Sequence, residues 1–271
     1  MTLLVQKFGG PSVGNVERIQ EIAKRIASCK QKGNDLIIVV SAMGDSTNQL
    51  TKLALEVNSS PPPRELDMLL STGEQVTIAL LSMALINLGI PAKSMTGSQV
   101  GIITESAHGK ARILEIKTER IRELLDEGQV VVIAGFQGTS LGSGKTAEIT
   151  TLGRGGSDTS AVALATAMNA DVCEIYTDVP GVLTTDPRKV KDAQLMKSIS
   201  CDEMLELASL GAAVLHPRAV EIARNYGVKL VVRSSLDNSA GTTLTSQSKR
   251  DLGKEGLELS RPVNAIELVE N

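Results

Sequence analysis

The chain has almost no aromatic residues. Its 271 residues include no tryptophan, and Phe8, Phe136, Tyr176 and Tyr226 are scattered along it. A base-stacking platform needs aromatic faces set side by side, so that class is excluded. Cysteine is scarce as well. Cys29, Cys173 and Cys201 lack metal-ligand spacing, and their odd number, with no signal peptide at the start, points to a reducing cytoplasm. Neither sign of charge dominates. A net charge of −3 argues against nucleic acid or an anionic membrane as a partner. Long apolar runs are missing too. The longest helix-like one, "VTIALLSMALINLGI" (76–90), is broken by Ser82 and Asn87, is short for a membrane span, and reads as a buried helix.

What remains is ordinary for a globular protein: 42% apolar and 22% charged residues, in a chain long enough to bury a large core. Short β-rich runs alternate with longer helical patterns. "LLVQKF" (3–8) reads as a strand. Residues 15–33 read as an amphipathic helix, with Val16, Ile19, Ile22, Ala23 and Ile26 at helical spacing and Gly33 as its stop. "DLIIVVSAM" (35–43) is a continuous apolar strand of the kind buried on both faces. Further strands are expected at 91–95, 130–136, 172–177 and 229–234. Helices are expected at 45–57, 64–88, 110–127, 157–169, 201–210 and 216–226. Strand then helix, repeated, argues an α/β fold with a mainly parallel sheet. "SSPPP" (59–63) reads as a stiff loop, 139–148 as an exposed hairpin or flap, and 236–262 as a loose tail. There is no internal repeat.

Several stretches carry phosphate chemistry. "GSGKT" (142–146) resembles the end of a P-loop, but Thr139 stands where that motif needs glycine, and no helix follows the lysine. "TTLGRGGSDTSAVALATAM" (150–168) is stronger. Its glycines lead into a small-residue helix that Ser157 or Asp158 can cap, whose free N–H groups form an anion site beside the cation of Arg154. Asp158 reads equally as a cap or as an anchor for a catalytic lysine or a metal. In "LLVQKFGGPSV" (3–13) a lysine and two glycines suggest a second phosphate site, although Pro11 cannot donate an N–H. Lys7, Ser41, Gly135 and Asp178 all fall at expected carboxyl ends of strands, where α/β sheets bind ligands.

The motifs "VQKFGG" (5–10), "VVSAMG" (39–44), "LSTGEQ" (70–75), "AGFQG" (134–138), "TTLGRGGSDTSAVALA" (150–165), "YTDVPGVLTTDPR" (176–188) and "LGAAVLHPRAVEIA" (210–223) resemble the amino-acid kinase family. Within it they resemble the aspartate kinases, cyanobacterial ones most of all. The resemblance implies a three-layer α/β/α sandwich with a mostly parallel central sheet, like that of carbamate kinases. It implies ATP-dependent phosphorylation of the L-aspartate β-carboxylate, the first step toward lysine, threonine and methionine. Lys7, Asp158 and Gly10 would be catalytic: Lys7 bridges the transferring phosphoryl group, Asp158 orients it, and the Gly9 and Gly10 amides lie beside it. Glu74 would take the substrate ammonium and Arg154 its α-carboxylate, with Ser41, Thr47 and Ser157 as further contacts. The bland reading of Glu74 is a charge at a helix start. Lys7, Gly9, Gly10, Tyr176, Thr177, Asp178, Leu183, Asp186 and Arg188 would hold ATP. Mg2+ would bridge its phosphates, with no metal-ligand set on the protein.

The resemblance also implies a homodimer and a catalytic domain over 1–246. That domain would have a substrate lobe near 1–150 and a nucleotide lobe near 151–246, and 247–271 would be a tail leading toward an absent ACT domain. Two positions depart from the family pattern. Pro11 stands where a threonine is usual, and Ala213 where a phosphate-binding lysine is usual, so Lys145 or Arg218 would have to substitute. The departures motivate an alternative, a catalytically weak nucleotide- or amino-acid-binding relative. The flap motivates another, a kinase of a different amino or carboxylic acid.

Overall fold

The computed structural model describes residues 1–141, 147–212 and 214–245. In chain order these form β1 (Leu3–Phe8), a 3-10 turn (Gly10–Val13), α1 (Val16–Gln31), β2 (Asp35–Val40), α2 (Ser46–Val57), α3 (Pro63–Asn87), β3 (Ala92–Met95), β4 (Ile102–Thr104), β5 (Ile113–Ile116) and α4 (Glu119–Asp126). There follow β6 (Val130–Ala134), β7 (Gln137–Ser140), β8 (Glu148–Thr151), α5 (Gly156–Ala167), β9 (Val172–Thr177), β10 (Ser198–Ser200), α6 (Cys201–Ser209), α7 (Pro217–Tyr226), β11 (Leu230–Ser234) and β12 (Thr242–Thr245).

Eight strands make the main sheet, in the order β10-β12-β11-β9-β1-β2-β6-β3. Every pairing in it is parallel except β11 with β12. Side-chain alternation splits each central strand between two cores. Leu36, Ile38 and Val40 join Phe8 and Tyr176 against α1 and α3. Ile37 and Val39 join Val5 and Ile175 against α4, α5, α6 and α7. Helices therefore cover both faces, and the α/β/α sandwich is as expected, with β2 buried on both sides. Asn15 caps α1 by accepting the Arg18 N–H at 2.9 Å, and Gly33, at φ +85°, ends it where the sequence placed the stop.

The structure corrects three expectations. First, β4, β5, β7 and β8 form a second sheet of four strands, where a continuous helix over 110–127 was expected. β5 takes part of that stretch and α4 only its end. The cause is a register shift against β4, where Ile103 pairs with Glu115 but Thr104 with Ile113. The extra residue, Leu114, turns Ile113 and Ile116 to the same core, and their spacing of three mimics a helix. Second, the tail expected from 236 begins later, because β12 pairs with both β11 and β10. Third, β7 and β8 pair as the stems of the 139–148 hairpin, and Thr139 and Ser140 are buried rather than exposed. Residues 142–146, Lys145 among them, lie outside the described residues, as do Ala213 and the tail from 246. Residues 76–87 of the apolar run belong to α3, which is long and apolar enough by composition to cross a membrane; half of its apolar window is buried inside the protein.

Candidate active site

The carboxyl ends of β9, β1, β2 and β6, four neighbouring parallel strands, meet the amino end of α5. Lys7 is the penultimate residue of β1, so it shares the face of Val5, on the side of α5. There its Nζ lies 2.6 Å from Asp158 Oδ1, with both side chains nearly nine-tenths buried. Neither Ser157 nor Asp158 caps α5. The cap position is Gly155, in the left-handed conformation at φ +69° with no side-chain bond. A Cβ at Gly155 would come within 2.2 Å of the His216 ring, which requires glycine there. Asp158 is thereby left for Lys7.

The turns after β1 and β2 are interlocked. Gly44 N–H donates to the Gly10 carbonyl at 3.1 Å, and a Cβ at Gly10 would sit 3.1 Å from the Gly44 carbonyl. Pro11 is second in the 3-10 turn, where its missing N–H has no acceptor within the turn, so the turn is intact. Gly9 departs from its expected role. Its N–H donates to the Tyr176 carbonyl at 3.3 Å, while its missing side chain leaves room for Lys7 Nζ, 3.3 Å from where a Cβ would be.

Glu74 reaches the same place from α3. Gly73 lets the helix close on the β2 turn, since a Cβ there would lie 2.8 Å from that of Ala42. Glu74 Oε1 then accepts the Ala42 N–H at 3.1 Å. Its Oε2 is buried with no hydrogen-bond partner among the described residues. Burial raises the Glu74 carboxyl to about 7, against the opposing effect of backbone hydrogen bonds. Arg154 is exposed at the rim and has no carboxylate partner among the described residues.

Lys7, Ser41, Thr47, Glu74, Arg154, Ser157 and Asp158 line one cavity of about 240 Å³. The sequence had singled out all seven. Gly153, Gly155 and Gly156, the glycines of its anion site, line the same cavity, and so does Phe136, which it had missed. Phe136 has a positive φ of 67°, uncommon for a bulky residue. The strain is held by its N–H on Ser160 Oγ at 3.1 Å and its carbonyl on the Leu152 N–H at 2.9 Å. Its place in "AGFQG" was a signal, but not one that distinguishes it from the glycines.

Apart from Lys7, the expected nucleotide residues do not line this cavity. Tyr176 is a core residue: its ring stacks on Phe8 at 4.7 Å and its hydroxyl donates to Glu174 at 3.1 Å, so the ring is not free to face a nucleotide. Thr177 donates to Asp178 at the end of β9. Leu183 bridges to Leu195, and Arg188 forks onto Asp186 through two bonds of 3.0 Å. Arg218 donates to the Leu152 carbonyl at 3.2 Å, beneath the glycine loop.

Residues 2–234 match the model of the amino acid kinase family. The aspartokinase of Geobacillus stearothermophilus is 60% identical over 247 residues, 91% of this chain and 60% of that protein. The chain thus spans about 60% of the length of this curated relative. The crystal structure of aspartate kinase from Synechocystis superposes with a TM-score of 0.80 at 63% identity, over 91% of this chain and 40% of that one. The crystal structure of E. coli aspartokinase III in complex with aspartate and ADP has a TM-score of 0.81 at 28% identity, over 91% and 65%.

Proposed function

This chain belongs to the amino acid kinase family, and on that premise we propose that it transfers the γ-phosphoryl group of ATP to the β-carboxylate of L-aspartate. The observation that carries this is the cavity in which the Lys7–Asp158 pair, the unpartnered Glu74 oxygen and Arg154 converge. Glu74 Oε2 suits an ammonium, Arg154 an α-carboxylate, and Lys7 the group between acceptor and donor. At about 240 Å³ the cavity is smaller than the roughly 300–1,000 Å³ usual for drug-sized ligands, which suits a small amino acid. A similar protein has been crystallised with aspartate and ADP, in keeping with this substrate pair.

The chemistry is governed by charge. A carboxylate oxygen attacks the γ-phosphorus, the bond to the β–γ bridging oxygen breaks, and ADP leaves with an acyl phosphate as the other product. Attacker and target are both anionic, so cations and N–H donors carry the catalysis. Lys7 supplies the charge, and Asp158 holds its ammonium in place. The Gly10 N–H, at the start of the 3-10 turn, is a donor free of the turn's own bonds. Ser41, Thr47 and Ser157 complete the acceptor's surroundings. The nucleotide would lie beyond β9, against Thr177, Asp178, Leu183, Asp186 and Arg188. Mg2+ bound with the ATP phosphates would neutralise part of their charge. We assign the protein to the cytoplasm, as a homodimer without nucleic-acid or membrane partners, in the synthesis of lysine, threonine and methionine.

The test is ADP release coupled to a reporter, with hydroxylamine trapping of the acyl phosphate and a panel of acidic acceptors. Aspartate-dependent turnover is expected, and Lys7→Ala should lower it about 10²- to 10³-fold. No turnover at high enzyme concentration, or a better acceptor in the panel, would overturn the proposal.

A further inference from the structure

Asp67 lies on α3 seven residues before Glu74, about two turns away on the same face. It is a carboxylate buried as deeply as the apolar core, 1% exposed. Its Oδ2 faces His108 Nδ1 at 2.9 Å and accepts the Thr151 N–H at 3.0 Å, and its Oδ1 accepts the Thr151 hydroxyl at 2.6 Å. The Gly109 N–H is shared between the two oxygens at 3.1 and 3.0 Å.

These partners belong to two segments that border the active-site loop. Thr151 ends β8, and Leu152, Gly153 and Arg154 follow at once. Leu152 is fixed through its N–H on the Phe136 carbonyl and its carbonyl on Arg218. The 109–111 segment runs alongside: Ala111 N–H donates to the Thr151 carbonyl at 2.9 Å, and the Gly109 carbonyl lies 3.0 Å from where a Cβ of Gly153 would be. One carboxylate therefore ties the helix that presents Glu74 to the loop that presents Arg154. On the helix side the link is two hydrogen-bonded turns. On the loop side it is two residues, the first of them pinned at both backbone groups.

We propose that Asp67 is a positioning residue that sets the separation of Glu74 and Arg154, and so selects acceptors carrying an ammonium and a carboxylate on the same carbon. The inference rests on the function proposed above. It predicts a penalty confined to ligands that engage both receptors at once. Aspartate does. β-Alanine keeps the ammonium and the reacting carboxylate but lacks the α-carboxylate, and succinate lacks the ammonium.

The experiment compares the wild-type chain with Asp67→Asn and Thr151→Val. It measures KM for aspartate and ATP, kcat, thermal stability, and the competitive inhibition constants of β-alanine and succinate. Asparagine preserves shape but cannot accept all the converging donors. For Asp67→Asn the aspartate KM should rise about tenfold or more, because small misplacements of positioning groups are costly. Its ATP KM should hold, and kcat and both inhibition constants should move by less than about threefold, the split that marks lost acceptor binding. Thr151→Val should give the same pattern at about threefold, and it carries the test on the same criteria if Asp67→Asn does not fold. An unchanged aspartate KM, or a parallel loss for all three acids, overturns the positioning role while leaving the proposed function standing. A wild-type chain inert toward aspartate overturns both.

Discussion

The two oxygens of Glu74 have different environments: Oε1 holds the Ala42 N–H and Oε2 is buried without a partner among the described residues. An ionised carboxylate there is poorly solvated until a cation arrives, which is why burial lifts its pKa from 4.5 to about 7. The folded chain holds this proton more tightly than the unfolded one. Its contribution to stability is therefore complete below about pH 4.5 and is lost as pH rises through about 7. A shift of that size corresponds to about 3 kcal/mol. Denaturant unfolding at pH 5 and pH 8 should show the wild type losing about that much more than Glu74→Gln, whose amide does not titrate. Aspartate affinity should move the opposite way and weaken below pH 7, because the ammonium requires the ionised form. Equal pH profiles for the two proteins would refute this reading. Glu74 could be picked out of "STGE" as a candidate. Its titration could not, since depth of burial is a property of the assembled fold.

At the level of elements, Gly73 is the contact that lets α3 meet the β2 turn, with no room for a side chain beside Ala42. Gly73→Ala should push the helix outward and carry Glu74 with it. It should raise the aspartate KM about tenfold while destabilising the fold by about 1–3 kcal/mol, as overpacking does. Steady-state kinetics beside a thermal melt test this, and an unaltered KM would count against the geometry. The strands that form the floor of the site were legible as short β-rich runs between helical patterns, and β1, β2, β6, β9 and β11 fell where the pattern placed them. β4 and β5 were not legible, and β7 and β8 were legible only as a hairpin that was expected to be exposed. They are three or four residues long, and a bulge disguises one as a helix. The cap of α5 was misread for a different reason. Ser157 and Asp158 have the right chemistry for capping, but Gly155 takes the position because His216 occupies the space a side chain would need.

Across the whole molecule, convergence was the most legible feature. Lys7, Ser41, Gly135 and Asp178 were placed at strand ends from the sequence, and the parallel order β9-β1-β2-β6 sets those ends side by side. The acceptor residues then close into one cavity, whereas Asp178, Leu183, Asp186 and Arg188, expected at the nucleotide, stay spread over the segment between β9 and β10. α3 also carries an exposed apolar stripe. Val76, Met83 and Ile86 lie on the side of α3 opposite Glu74 and Leu81, and are 53%, 63% and 58% exposed. They follow one stripe along the helix, seven and then three residues apart. Such a row of large apolar side chains suits burial against a second copy. If the homodimer forms there, Met83→Glu places two carboxylates in its apolar contact and should weaken association by about 2 kcal/mol, roughly thirtyfold. Because Met83 lies outside both cores, the melting of the monomer should change little. Sedimentation across a concentration series measures this directly. A wild-type chain that stays monomeric, or a Met83→Glu chain that dimerises as tightly as wild type, would remove α3 as the interface.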